Sequence, residues 1–219
     1  KQAGHDVFGI NRRNWEEEEE RGMHREVSGQ CSSMQDLLDA ARTCRALDIP
    51  LKEVRFVREY WTDVFEPMVD MYMAGVTPNP DVACNREIKF KSLLEQAHVL
   101  GAELLATGHY AKLRYTPCGT HLLQARDASK DQSYFLSSVP GRAFDTVVFP
   151  LGGLLKEEVR RLAAHAVLPT AHKRESMGLC FVGRRRFDQF LNDYVPGSPP
   201  PSSRASDSTA PGAHSAELG

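Results

Sequence analysis

Apolar residues in this chain alternate between short runs and longer stretches of helical spacing. Asp6-Val7-Phe8-Gly9-Ile10 predicts a short buried strand, and polar Asn11 to Arg21 predicts a solvated loop. Leu37, Leu38, Ala41, Cys44 and Leu47 recur at three- and four-residue intervals, which predicts a helix that Pro50 ends. Val54-Arg55-Phe56-Val57 predicts a second strand. Trp61, Val64, Phe65, Met68, Val69 and Met73 predict the buried side of a helix from Tyr60 to Met73, closed by Gly75. Val76 to Asp81 holds two prolines one residue apart and predicts irregular backbone. A helix is expected from Asn85 to Leu100, and a third strand over Leu104 to Thr107.

Farther on, Ala111–Tyr115 and His121–Ala125 predict a hairpin around Pro117-Cys118-Gly119. Asp131 to Val139 predicts a short helix and Thr146 to Phe149 an extended segment. Lys156 to Ala166 predicts a helix whose N-cap position falls on Leu155, a residue with no side-chain acceptor. The last helix is expected over Phe187 to Tyr194. Strands alternating with helices predict an α/β fold with a doubly wound parallel sheet. Ligands of such sheets gather beyond the carboxyl ends of the strands, where Gly108-His109 falls. Residues 1–195 are expected to form the domain. Residues 196–219 contain five Pro, six Ser and three Gly and no aromatic residue, so this tail is expected to be disordered.

The 219 residues are 41% hydrophobic and include ten Phe, enough for a core, which excludes wholesale disorder. No apolar run is long enough to span a membrane, and no membrane partner is expected. The net charge of −2 hides its distribution. The run Glu16–Glu20 alone carries −5, leaving the rest of the chain at +3. The five cysteines are odd in number, widely spaced and without a C-x-x-C pair. That disfavours a zinc site or a secreted disulfide framework, and no metal ligands are assigned.

Four stretches hold candidate chemistry. In Thr77-Pro78-Asn79-Pro80-Asp81-Val82-Ala83-Cys84-Asn85, a stiff loop brings a carboxylate and a thiol to a helix start. There the helix dipole favours thiolate; the alternative is a rigid turn with an inert buried cysteine. In Ser176-Met177-Gly178-Leu179-Cys180-Phe181-Val182-Gly183, a cysteine lies between glycines and among Lys173, Arg174, Arg184, Arg185 and Arg186. Such a patch binds phosphates and favours thiolate, or is a solvated basic loop. In Ser129-Lys130-Asp131-Gln132-Ser133-Tyr134-Phe135, polar residues precede a short helix, as phosphate contacts or as a cap. Thr107-Gly108-His109-Tyr110 ends a strand, as a ligand contact or a hydrogen-bonded loop. No Walker, Rossmann or H-E-x-x-H motif is present.

Taken in order, these stretches resemble the tRNA-specific 2-thiouridylases. The matching text is EYWTDVF at Glu59–Phe65, TPNPDVACN, EIKF at Glu87–Phe90, ATGHY, SKDQSYFL, FPLGG and ESMGLCFVG. The resemblance covers about residues 4–195 and implies an adenine-nucleotide α-hydrolase-like (PP-loop) ATPase fold. It implies an enzyme, an ATP-dependent sulfurtransferase that adenylates the C2 oxygen of the wobble uridine of tRNA. Sulfur arrives as a persulfide from a cysteine-desulfurase relay and displaces AMP, leaving 2-thiouridine. By motif, Cys180 resembles the persulfide-bearing cysteine and Cys84 the nucleophile that pairs with it in a disulfide. Asp81 resembles an acid/base group; Asn79, Pro80 and Asp81 resemble the contact to the target base. His109, Lys130, Asp131 and Gln132 resemble tRNA contacts, and Gly108 a nucleotide-contacting glycine. ATP is the implied cofactor, with Mg as its counter-ion. The ESMGLCFVG form is similar to mitochondrial members, which implies that location, with the cytoplasm as the alternative.

Three departures accompany the resemblance. The family's opening strand and SGGVDS pyrophosphate loop do not occur in this sequence. Arg12 stands where members carry the methionine that meets the adenine. The Pro/Ser-rich tail stands where members continue into β-rich domains that help hold tRNA. They set a second expectation, a truncated and inactive product that retains at most partial tRNA or partner binding.

Overall fold

The computed structural model describes residues 4–15, 32–173 and Tyr194. The expected helix over Phe187 to Tyr194, the tail 196–219 and the Cys180 loop therefore lie outside the described residues, apart from Tyr194 and the flanking Lys173.

The first strand, β1 (Gly9–Arg13), begins three residues later than its apolar run and extends into the polar segment expected to be a loop. Pairing decides this. β1 lies parallel to β2 (Leu51–Arg55), with Arg12 opposite Val54 and Arg13 opposite Arg55. Two further backbone bonds, Gly9 N–H to Pro50 O and Phe56 N–H to Arg13 O, extend the ladder at both ends. The polar side chains are accommodated because each has a partner: Arg13 pairs with Glu53 at 3.1 Å, and Arg12 turns to the site described below. Helix α1 (Ser32–Ala46) joins the two strands and packs on both.

Helix α2 runs through Val57–Tyr60, a π-helical turn Trp61–Phe65, and Glu66–Met73. The wider turn shifts the apolar face. Tyr60, Val64, Phe65 and Met68 are buried, whereas Met73, expected on the same side, is exposed. Gly75 at φ +77 ends the helix: its N–H reaches Tyr72 O, and Val76 N–H reaches Met71 O.

Helix α3 begins at Pro80, five residues before the expected start. It comprises Pro80–Ala83, a π-helical stretch Cys84–Ser92 with a kink at Phe90, and Leu93–Val99. Asn79 caps it, and Pro80 arrives with its φ already set for the first helical position.

Strand β3 (Leu105–Ala106) pairs in parallel with β6 (Val147–Val148), and the hairpin β4 (Ala111–Thr116) with β5 (Gly119–Gln124) turns at Pro117-Cys118. The α/β class with parallel strands stands, but the described strands pair two by two rather than in one continuous sheet. The short helix α4 spans Ser133–Leu136, less than expected. Helix α5 (Lys156–His165) solves the problem of Leu155 with two carboxylates, one its own and one from outside the helix. Glu158 accepts from Leu155 N–H at 2.7 Å and Asp127 from Lys156 N–H at 2.9 Å. Ile88, Phe90, Leu136, Phe144 and Val147 are buried and form the core beneath the site. Among the described residues no helix is long and apolar enough to cross a membrane.

Candidate functional site

The site is assembled on the first two turns of α3. Asn79 Oδ1 accepts from the backbone N–H of Asp81 at 3.1 Å and of Val82 at 3.3 Å. This locks the loop to the helix start and buries Pro80. Asp81 and Cys84, three residues apart, then share one face of the turn. Because the helix starts at Pro80, Cys84 is not at its N-terminus, and the expected dipole effect on the thiol does not apply.

A cation from another element lies against the sulfur. Cys84 is 5% exposed, and Arg12 Nη1 donates to its sulfur at 3.4 Å; Asn14 Nδ2 lies at 4.0 Å. Arg12 and Asn14 alternate along one strand face, so both point to the same side. Trp15 fastens this end of the strand: its ring stacks on Trp61 at 5.6 Å and meets Phe65 edge-on at 5.2 Å. The amide oxygen of Asn14 is buried without a hydrogen-bond partner.

Lys89 lies on the same face of α3, two turns beyond Asp81. Its Nζ is 3.0 Å from Nε2 of His109, just beyond the carboxyl end of β3. The other ring nitrogen meets Thr107 Oγ1 at 2.8 Å. His109 is 7% exposed among Phe90 and Phe149, with ring centroids 5.6 Å away in each case. Burial foremost, and then the charges of Lys89 and Arg12, push its pKa down to about 3, so the ring is neutral. Burial also raises the Asp81 carboxyl above its ordinary range, against the opposing pull of Lys89 and Arg12.

Gln132 is tied to the loop carrying His109. Its Oε1 accepts from Tyr110 N–H at 2.9 Å, and its own N–H donates to Tyr110 O at 2.8 Å. Asp131 has a different use. Its carboxylate accepts from Ala125 N–H at 2.7 Å and from the Ser133 hydroxyl at 2.5 Å, joining β5 to α4. Lys130 donates its backbone N–H to Asp127 O at 3.1 Å. Asn85 bridges α3 to α4 by donating to Phe135 O at 3.0 Å.

Gly108 fits a nucleotide on steric grounds. It lacks a positive φ, and a Cβ there would meet only Leu151 Cδ1, at 3.7 Å. Neither backbone nor packing calls for glycine, whereas a ligand lying on the backbone would. Among the described residues no cluster of three or more His, Cys, Asp or Glu is arranged to hold a metal.

Asn79, Pro80, Asp81 and Cys84, expected together from one motif, share the start of α3, and Asp81 feels the charge of Lys89, which contacts His109. Arg12, Asn14 and Lys89 were not singled out as site residues from sequence. The signal for Lys89 was its eight-residue spacing from Asp81; for Asn14 it was strand alternation with Arg12.

Residues 1–184 match the family model described as tRNA methyl transferase HUP domain. The chain is 44% identical over 200 residues to the tRNA-specific 2-thiouridylase MnmA of Lactiplantibacillus plantarum, covering 91% of this chain and 52% of that protein. It is 46% identical over 199 residues to the protein of the same name from Bacillus pumilus, covering 91% of this chain and 52% of that protein. The corresponding Hahella chejuensis protein is 46% identical over 199 residues, covering 91% of this chain and 53% of that protein. The chain thus spans about half the length of the curated relatives it matches.

Proposed function

This chain belongs to the tRNA-specific 2-thiouridylase family with a HUP domain, and from that membership we propose that it carries the sulfur-transfer chemistry of an ATP-dependent tRNA sulfurtransferase. The substrate is the wobble uridine of tRNA and the product is 2-thiouridine. ATP supplies the activation that turns the C2 oxygen into a leaving group. A persulfide on Cys180, loaded by a cysteine-desulfurase relay, delivers its outer sulfur to C2. The Cys84 thiolate then attacks the inner sulfur of Cys180, forming a Cys84–Cys180 disulfide and releasing the thiolated base; an external thiol restores both cysteines. Asn79, Pro80 and Asp81 hold the base, with Asp81 moving a proton. His109, Lys130, Asp131 and Gln132 belong to the segments that contact the tRNA, and Gly108 contacts the nucleotide. Mitochondrial location belongs to the same reading.

The observation that supports this reading most is the turn that sets Asp81 and Cys84 on one helix face, with Arg12 against the thiol. The test is 2-thiouridine formation by the protein at the length of its relatives, supplied with ATP, a sulfur donor and unmodified tRNA, read by nucleoside mass spectrometry. Cys84→Ser and Cys180→Ser should each abolish the product. Full activity in either variant would refute the two-cysteine chemistry.

A further inference from the structure

The side chain of His109 has no polar atom to offer a ligand. The ring is 7% exposed, Nδ1 is engaged with Thr107 Oγ1 at 2.8 Å and Nε2 with Lys89 Nζ at 3.0 Å. The group set against it is an ammonium. Lys89 is half-buried, between buried Ile88 and Phe90 in the sequence of α3, and its charge acts on both Asp81 and His109.

We infer that Lys89 is a phosphate-contacting residue of this site, its ammonium holding an anionic oxygen of the bound nucleotide or of the RNA backbone at the carboxyl end of β3 while it steadies the His109 ring. Three observations converge. The first is the balance of charge. Lys89 and Arg12 both act on Asp81 and on His109, and burial keeps the ring neutral, so even an ionised Asp81 sets one carboxylate against two cations. Glu87, the carboxylate nearest to Lys89 in sequence, is held by Arg86 at 2.6 Å and by Lys91 at 2.9 Å. The second is space. At Gly108 a Cβ would meet only Leu151, at 3.7 Å, so a ligand can lie on the backbone one residue from the ring that Lys89 touches. The third is donor number. An ammonium carries three rotatable donors and gives one to Nε2, so a lysine can hold a ring nitrogen and a phosphate oxygen at once.

The inference rests on the proposed function only in reading this as the nucleotide and tRNA site, and its test measures no turnover. The histidine ring nitrogens of the 219-residue chain are followed by NMR while inorganic phosphate, AMP or unmodified tRNA is added in parallel. The Nε2 signal of His109 should move saturably. A response to AMP at lower concentration than to tRNA assigns the phosphate to the nucleotide; the reverse order assigns it to the RNA backbone. Lys89→Gln keeps a donor for Nε2 but loses the charge, so the tautomer should persist while the midpoint of the response rises about 10-fold or more. Lys89→Arg should keep the response. A second measurement needs no variant: AMP should slow acetylation of Lys89 relative to exposed Lys91, read by peptide mass spectrometry. A ring that ignores all three probes, a folded Lys89→Gln that responds as the parent does, or acetylation of Lys89 indifferent to AMP overturns the inference. Any of these beside thiolation that needs Cys84 and Cys180 leaves the proposed function standing. An intact phosphate response beside full thiolation in Cys84→Ser counts against the proposed function alone.

Discussion

Lys89 approaches His109 with its ammonium 3.0 Å from Nε2, and this contact settles the state of the ring. An ammonium can only donate, so Nε2 accepts, and the proton sits on Nδ1, where it is donated to Thr107 Oγ1. A neutral histidine with a fixed tautomer is thereby presented at the carboxyl end of β3.

That arrangement predicts acid lability. His109 titrates at about 3 in the folded chain and near 6.5 when unfolded. Its contribution to stability is fully present above the unfolded value and is lost as pH falls towards the folded one. Within that window the group contributes a slope of about 1.4 kcal/mol per pH unit. Urea unfolding should therefore show a smaller loss of stability between pH 6.5 and about pH 5 in His109→Gln than in the parent chain, by about 2 kcal/mol. Parallel pH profiles would contradict this.

Asp81 predicts the opposite sign. Burial raises its folded-state pKa, so it favours folding below its ordinary value of 3.8 and penalises folding as pH rises through the folded value. Asp81→Asn should raise the denaturant midpoint at neutral pH, with the gain vanishing in acid. If Asp81 moves a proton as proposed, the same variant loses thiolation in the protein at the length of its relatives. A variant that is destabilised at neutral pH would show that the pull of Arg12 and Lys89 outweighs burial.

Asn79 separates capping from recognition. Asn79→Ala removes the acceptor for the N–H groups of Asp81 and Val82 and should cost about 1 kcal/mol. Asn79→Asp keeps an acceptor and should recover that stability. If Asn79 also contacts the target base through its amide, thiolation stays impaired in Asn79→Asp although the fold is intact. Recovery of both would assign the residue to the cap alone.

Two glycines should respond differently to alanine. At Gly108 the added Cβ meets only Leu151, so stability should change by less than about 0.5 kcal/mol while nucleotide binding weakens, read by calorimetry on the protein at the length of its relatives. At Gly152 it would overlap the Ala111 carbonyl, backbone that cannot move aside, and Gly152→Ala should unfold or severely destabilise the chain. Thermal melts of both variants check the contrast.

The chemistry-bearing stretches were legible because their residues are neighbours in sequence. Asn79, Pro80, Asp81 and Cys84 lie within six positions, and a proline-stiffened loop before a helix confines them to one turn. The alternation of strands and helices was legible for the same reason, since periodicity is local. Element boundaries were less so. β1 runs on into Asn11-Arg12-Arg13 because β2 offers a ladder, and α3 starts at Pro80 because Asn79 caps it. Those outcomes depend on partners and on cap geometry that apolar spacing does not register.

By itself, then, the sequence determined the family, the α/β class and the cysteine and carboxylate that share a turn. Tertiary structure alone decided what surrounds them. Arg12 reads in sequence as a cation in a polar stretch, 72 positions from Cys84. Only the pairing of β1 with β2, and the packing of Trp15 on α2, carries its guanidinium to the sulfur. His109 likewise is neutral because folding buries it beside Lys89, and the solvation of a group is set by everything packed against it rather than by its neighbours in the chain.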